Sequence, residues 1–340
     1  MTPAVAGRVE PTVALIKLSD ESRDSLLSRL VRRGNPVADI DRALLELYRS
    51  FAELPDEVLG PIRNFGCCPS APGAMLVRNL PVDPALPASP IDGRPSPHKS
   101  TFVSECVVLG LAQLIGEPIG YMTEKEGRLV HDIVGVRSGE RSQTNQSSAV
   151  FLSFHNDTTY DPIGIYNNSN PDFLVLLNLR KSPDGKGRTA YVDARWLTER
   201  LDSVTVNSLR HAEFLLNAPG TYCQEHAGGA EVWSRPVPLI QGPPEAPEIA
   251  VSANGVKPLT DGAKAAWRVL RDLCLQKGFA SWTLLEPGEA LLIDNRKGLH
   301  AREPFTAEYS GSDRWLQRCY VRRSSWILRD RTTAQPRVFL

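Results

Sequence analysis

Beyond residue 129 the chain changes from helical to strand-like patterning, and this change limits its possible folds more than any other feature. Short apolar runs bounded by turn residues recur at 129–134, in the run ending at His155, at 173–179, at 189–192, around 290–293 and at 315–321. Runs of this length and composition read as buried strands. Ahead of them, two helical patterns lie between residues 19 and 54, with apolar positions at Leu26, Leu27, Leu30 and then Ile40, Ala43, Leu44, Leu47, Tyr48, Phe51. Gly34-Asn35-Pro36 breaks them apart. Between the two regimes come a strand over 73–81, a Pro/Ser-rich connection over 82–100 expected at the surface, and a strongly apolar helix over 101–115. Further helices are predicted at 195–201 and 260–276. The order predicts a mainly β (α+β) architecture, a sandwich or barrel with helices packed on one side. One large core suffices for 340 residues, so a single domain over 1–340 is expected, with a helical elaboration over 19–72, a core over 73–322 and a tail over 323–340.

Composition narrows the partners. Thirty-nine basic residues balance thirty-nine acidic ones, so no overall field draws the chain to nucleic acid or an anionic membrane. A small-molecule partner is expected. The longest apolar runs fall short of the roughly 18 residues of a membrane helix, and the first residues lack the pattern of a secretory signal; a cytoplasmic protein is expected. Six scattered cysteines show no zinc-binding spacing and read as buried free thiols. The oligomeric state is not legible.

One strand run ends in Phe154-His155-Asn156-Asp157, ahead of a polar loop over 158–170 that reads as a lid. A histidine and a carboxylate two residues apart share one face of a regular strand and can converge on one metal ion. A remote strand over 291–300 ends in His300 and offers a third ligand. Two histidines and one carboxylate leave three coordination positions open, as in Fe(II) sites that bind a co-substrate and O2 together. Taken alone, the triplet reads more simply as a turn-capping aspartate beside a satisfied histidine. Its company shifts the balance. Arg314 and Arg318 follow His300 by fourteen and eighteen residues, and residues four apart on a strand share a face. Arginine pairs with carboxylates through two parallel bonds, so two inward arginines near a metal point to two carboxylate-bearing ligands. The plainer reading is a pair of surface arginines on a strand edge. At roughly 3.3 Å per residue the two lie about 13 Å apart, too far to grip one small carboxylate together.

The segments FHND, PDFLVLLNLR, GKGRTAYVDAR, PGEALLIDNRKGLHAR and RWLQRCYVR resemble those of the taurine-dioxygenase-like Fe(II)- and 2-oxoglutarate-dependent oxygenases, in the branch of clavaminate synthase and the amino-acid β-hydroxylases. The resemblance runs from about residue 73 to 321 and implies a double-stranded β-helix, or jelly roll, for the core. It implies that His155, Asp157 and His300 are the iron ligands. It also implies that Arg314 grips the distal carboxylate of 2-oxoglutarate, with a hydrogen bond from Thr189 to the same group. Arg318 then holds the α-carboxylate of an amino-acid substrate, and Glu124 its α-amino group. The implied activity is hydroxylation of an unactivated carbon of a free amino acid or a derivative, in specialised-metabolite or antibiotic biosynthesis, with Fe(II), 2-oxoglutarate and O2.

Three departures from that branch stand out. Asp157 occupies a position where the branch often has glutamate, and the loop after it is longer than usual. The run Val251-Ser252-Ala253-Asn254-Gly255 lacks the acidic residues with which members acting on arginine hold the guanidinium. Desaturation or ring closure of the substrate uses the same cofactors and remains an alternative. A jelly-roll binding protein without chemistry, or a hydrolase with zinc on the same ligands, is a further one. The first is opposed by the full set of ligands, the second by an arginine pair that hydrolysis has no use for.

Overall fold

The computed structural model of the chain, which describes residues 13–157, 170–220, 222–223 and 227–340, contains two main β-sheets. In chain order the strands are β1 (Ala14–Lys17), β2 (Ala74–Arg78), β3 (Glu117–Tyr121), β4 (Val130–Ile133), β5 (Leu152–His155), β6 (Phe173–Arg180), β7 (Thr189–Asp193) and β8 (Phe214–Leu216). They continue with β9 (Ile240–Gln241), β10 (Glu248–Ile249), β11 (Val256–Pro258), β12 (Ser281–Thr283), β13 (Ala290–Asp294), β14 (Gly298–Arg302), β15 (Trp315–Arg322) and β16 (Val338–Phe339). The larger sheet runs β1-β2-β13-β6-β15-β3-β16, with β4 also paired to β15; the smaller runs β12-β7-β14-β5. Within both, pairing is antiparallel except for β1 with β2 and β16 with β3. The helices are α1 (Asp20–Leu30), α2 (Ile40–Phe51), α3 (Asp56–Cys67), α4 (Val103–Ile115), α5 (Ala194–Arg200), α6 (Ser203–Leu209) and α7 (Asp261–Leu275).

The near-continuous apolar runs of β6 and β15 follow from burial on both faces. Alternation sends Phe173, Val175, Leu177 and Leu179 of β6 toward the helices, together with Trp315, Cys319 and Val321 of β15. Leu174, Leu176, Leu316 and Tyr320 point the other way, toward the smaller sheet. Helix α4 is buried around almost its whole circumference, as an all-apolar helix must be. It approaches α2 closely at Gly110, where an added Cβ would lie 2.1 Å from the Phe51 ring.

Helices cover both outer faces rather than one. Ala190 and Val192 of β7 and Leu299 and Ala301 of β14 present an apolar outer face, and α5, α6 and α7 cover it with Leu197, Leu209, Ala263, Ala266 and Leu270. Helix α3 was not legible because Gly60, Pro61 and Gly66 interrupt its pattern. The stretch 291–300 is not one strand but the end of β13, a turn over 295–297 and the start of β14: Asp294 accepts hydrogen bonds from the backbone N–H of Arg296 at 3.0 Å and of Lys297 at 3.1 Å. This Asx-type turn carries the chain from β13 in the larger sheet to β14 in the smaller. The Pro/Ser-rich connection has no helix or strand, as expected, yet Asp83, Ser89 and Lys99 anchor it inward. The last residues add β16 to the larger sheet. All six cysteines are free, but Cys67 is exposed and Cys68 half-buried rather than buried, because they close α3 at the surface.

Candidate active site

A cavity of about 390 Å³ lies between the inner faces of the two sheets. Its walls include Leu174, Leu176, Leu316, Arg318 and Tyr320 from the larger sheet and Leu152, His155, Thr189, His300 and Arg302 from the smaller. Residues 92–94 of the Pro/Ser-rich connection and 252–254 close its sides.

His155 on β5 stands directly across from His300 on β14, and their rings are 4.2 Å apart. Asp157 places one carboxylate oxygen 3.3 Å from His155 Nε2 and 3.6 Å from His300 Nε2. One ligand atom from each of the three lies within 4.8 Å of the others. Strand alternation is not what brings Asp157 in. Strand β5 ends at His155, and the Asp157 peptide is held by Asn295, whose Oδ1 accepts from Asp157 N and whose Nδ2 donates to Asp157 O, both at 3.0 Å. Asn156 braces the same segment, donating to the carbonyls of Asn295 at 2.6 Å and Gly298 at 2.8 Å and accepting from Val251 N at 2.9 Å. Both asparagines are buried. Their signal in the sequence was an amide beside each ligand-bearing strand end, and it was overlooked.

Protonation suits a metal. His155 donates Nδ1–H to the Ser153 carbonyl at 2.7 Å, which leaves Nε2 with its lone pair toward Asp157 and His300. Burial, with His155 alongside, pushes the His300 pKa down and keeps that ring neutral. Burial alone would raise the Asp157 carboxyl. The Arg318 guanidinium, 2.6 Å away, overrides it and holds the group well below the usual carboxylate range. Neutral imidazoles and an ionised carboxylate are the states that bind a metal cation, so this donor set fits Fe(II).

Arg318 lies on the cavity face of β15 and is buried, but it is not idle. It donates from Nη1 to Asp157 at 2.6 Å and from Nη2 to Glu124 at 2.9 Å. The same Nη2 lies 2.9 Å from His131 Nδ1. His131 gives its Nε2–H to the Arg128 carbonyl at 2.7 Å, so Nδ1 is the acceptor, and burial with Arg318 nearby keeps the ring neutral. Glu124 also accepts from Asn145 Nδ2 at 3.2 Å.

Arg314 is buried against the same cavity, and among the described residues it forms neither hydrogen bond nor ion pair. Its alkyl chain lies against Gly187, where a Cβ would stand 3.0 Å from Arg314 Cδ and where φ is +90°; only glycine suits both demands. Burial pushes the Arg314 pKa down to about 10, against an opposing pull from Glu303. Thr189 is buried and lines the cavity nearby. Arg302 was not anticipated. It too is buried in the wall, with its pKa lowered to about 9 by burial and by Arg314. Its signal was the period of two that follows His300. All the expected site residues therefore meet in one cavity: His155, Asp157, His300, Thr189, Arg314, Arg318 and Glu124. The expected lid over 158–170 lies outside the described residues except for Asn170.

Residues 223–320 match the family model described as taurine catabolism dioxygenase TauD, TfdA family. The chain is 34% identical to L-asparagine oxygenase of Streptomyces coelicolor over 254 residues, which are 73% of this chain and 71% of that protein. It is 26% identical to clavaminate synthase 2 of Streptomyces clavuligerus, over 84% of this chain and 85% of that one. A solved structure of asparagine oxygenase in complex with Fe(II), (2S,3S)-3-hydroxyasparagine and succinate superposes with a TM-score of 0.83 at 28% identity, covering 96% of this chain and 98% of that one. The chain belongs to the taurine catabolism dioxygenase TauD, TfdA family, the Fe(II)- and 2-oxoglutarate-dependent oxygenases.

Proposed function

We propose that this oxygenase hydroxylates an unactivated carbon of a free α-amino acid with a polar, uncharged side chain, as a step of specialised-metabolite biosynthesis. The observation that carries the reading is the ion pair of the buried Arg318 with the half-buried Glu124 at 2.9 Å. A zwitterion that enters such a pair, carboxylate to arginine and ammonium to glutamate, leaves no charge unpaired. A ligand with one of those charges leaves a buried partner uncompensated, at a cost of several kcal/mol.

His155, Asp157 and His300 hold the metal in this reading, and Arg314 with Thr189 holds the distal carboxylate of 2-oxoglutarate. With Fe(II) bound, 2-oxoglutarate and O2 supply the oxidant, so that substrate C–H becomes C–OH while the co-substrate leaves as succinate and CO2. The chain's share is placement. Asn156 and Asn295 fix the Asp157 peptide, Arg318 orients its carboxylate, and Arg318 with Glu124 fixes two points of the substrate, so that one C–H bond is presented repeatedly. The two sheets around the cavity support a jelly-roll core, and we read the whole chain as one domain.

The side-chain preference comes from the remaining lining. Gln143, Asn145, Gln146, Ser252 and Asn254 offer amides and hydroxyls. The lining acids beside the metal-ligand cluster are engaged, and the other two, Asp92 and Glu126, are exposed. Glu124 and Asp157 are bound to Arg318, Glu126 lies 3.5 Å from Arg94, and Asp92 accepts from Arg94 N at 3.0 Å. The Lys125 ammonium, by contrast, is buried there without a hydrogen-bond partner. The test is anaerobic reconstitution with Fe(II) and 2-oxoglutarate, then O2 and a panel of neutral, acidic and basic amino acids, scored by succinate and product mass. Succinate with neutral polar members is expected; turnover of arginine or lysine alone contradicts the side-chain reading.

A further inference from the structure

We infer that Arg302 is a second grip on the distal carboxylate of the co-substrate, so that Arg302, Arg314 and Thr189 hold that group together. The inference rests on the 2-oxoglutarate reading above and deepens it. It begins with strand geometry. His300 and Arg302 are two apart on β14 and share its cavity face, separated by about 7 Å along the strand. A co-substrate anchored at the metal through its first two carbons carries its other carboxylate three carbons further on, in the range that an arginine at this offset reaches. In the ladder of β14 with β7, Arg302 is the direct partner of Thr189. Residues paired in this way have Cβ atoms about 5 Å apart, so the hydroxyl and the guanidinium share one end of the cavity.

The charge arrangement points the same way. Arg302 and Arg314 lie against one ring, Phe305, with their guanidinium carbons 5.0 Å and 5.3 Å from its centroid. Both are buried. Arg302 has a single hydrogen bond, to Ser147 Oγ at 2.7 Å, and its Nε is buried without a partner. Neither arginine forms an ion pair among the described residues. The nearest acid in sequence, Glu303, is turned to the rim and pairs there with Arg188 at 2.8 Å. Two other buried arginines each have a carboxylate partner: Arg318 pairs with Asp157 and Glu124, and Arg322 lies 3.4 Å from Asp172. Two adjacent buried cations without an anion are costly. One carboxylate offers about four acceptor sites, enough for both guanidinium groups and the Thr189 hydroxyl.

The test uses ligand-induced thermal stabilisation of the full chain loaded with Mn(II), which needs no turnover. Wild type, Arg302→Gln, Arg302→Lys and Ser147→Ala are each titrated with 2-oxoglutarate and with 2-oxobutyrate, which lacks the distal carboxylate. Loss of one charge-assisted contact predicts that Arg302→Gln raises the 2-oxoglutarate midpoint roughly 10- to 100-fold. Arg302→Lys should raise it less, and Ser147→Ala slightly. The 2-oxobutyrate midpoint should stay within about twofold throughout, since that ligand has no group for Arg302 to hold. A 2-oxoglutarate midpoint unchanged in Arg302→Gln overturns the inference while leaving the family reading intact. Equal weakening for both ligands also overturns it, because that marks a general defect of the site. If wild type shows no stabilisation by 2-oxoglutarate at all, the reading of the cavity itself fails, and the inference with it. Should Arg302→Gln not fold, Arg302→Lys and Ser147→Ala carry the same comparison.

Discussion

The Asp157 carboxylate meets His155 and His300 because Asn295 holds its peptide at both the N–H and the C=O. The nearness of Asp157 to His155 was legible from their spacing of two residues, but strand alternation was the wrong reason for it. The strand stops at His155, and Asn295 rather than strand alternation aims the carboxylate. Sequence spacing reports that two residues are close; it does not report which peptide hydrogen bonds make them so. Groups that hold a metal-binding side chain in place typically contribute about 10–100-fold to metal affinity. Asn295→Ala is therefore expected to weaken Mn(II) or Fe(II) binding by about that factor, measured by metal titration at a temperature where the variant is folded. His155→Ala, Asp157→Ala and His300→Ala should each abolish substrate-dependent succinate formation. Arg314→Ala should raise the 2-oxoglutarate requirement far more than the amino-acid requirement, because it leaves a carboxylate buried without its partner, at a cost of roughly 2–5 kcal/mol. Initial rates with each substrate varied in turn distinguish the two. Arg302 was missed because its partner is a ligand and because the sequence alone does not show which arginines are paired.

At the scale of elements, strand β4 carries different chemistry on its two faces. His131 lies beside Arg318 and Tyr320, whereas Asp132 looks toward α4 and accepts from Trp315 Nε1 at 2.6 Å and from Gln317 Nε2 at 3.2 Å. Burial raises the Asp132 pKa to about 6, against the pull of those two hydrogen bonds. A carboxyl that is harder to ionise in the folded chain than in the unfolded one, where the value is about 3.9, binds its proton preferentially in the folded state. Its stabilising effect is therefore present below about pH 4 and is lost as pH rises through about 6. Asp132→Asn keeps an acceptor for Trp315 and Gln317 and removes the charge. It should raise stability at pH 8 by roughly 1–3 kcal/mol and flatten the stability profile between about pH 4 and 6, as read by denaturant melts across that range. The contact of α4 with α2 makes a second prediction. Gly110→Ala drives a methyl into the Phe51 ring and should destabilise the chain by about 1–3 kcal/mol, with Phe51→Leu in the same chain restoring part of the loss. Helix α4 was legible from composition because a helix apolar on every side has one home. Helix α3 was not, since two glycines and a proline mask its period although tertiary packing of Val58, Ile62 and Phe65 sustains it.

For the whole molecule, the early helices and later strands correctly indicated sheets with helices, but not helices on both sides. The outer face of the smaller sheet betrays itself only through Ala and Val positions in short strands, and these carry too little pattern to be read alone. The site was legible to a greater degree because His155 and Asp157 fall where an apolar run gives way to polar residues. What the linear sequence hid was the connection between distant segments: β5 and β14 meet only after the chain has crossed from one sheet to the other at 295–297. We propose that this assembly places a zwitterionic amino acid, held by Arg318 and Glu124, before an Fe(II) and 2-oxoglutarate site. The most direct measurement is succinate formed by the Fe(II)-loaded enzyme with a substrate amino acid, with its methyl ester and with its N-acetyl derivative, under saturating 2-oxoglutarate and O2. The account predicts stoichiometric succinate and a product one oxygen heavier for the free amino acid, and at least tenfold less for either capped form. Equal turnover of the capped forms, or no succinate with any free amino acid, would contradict it.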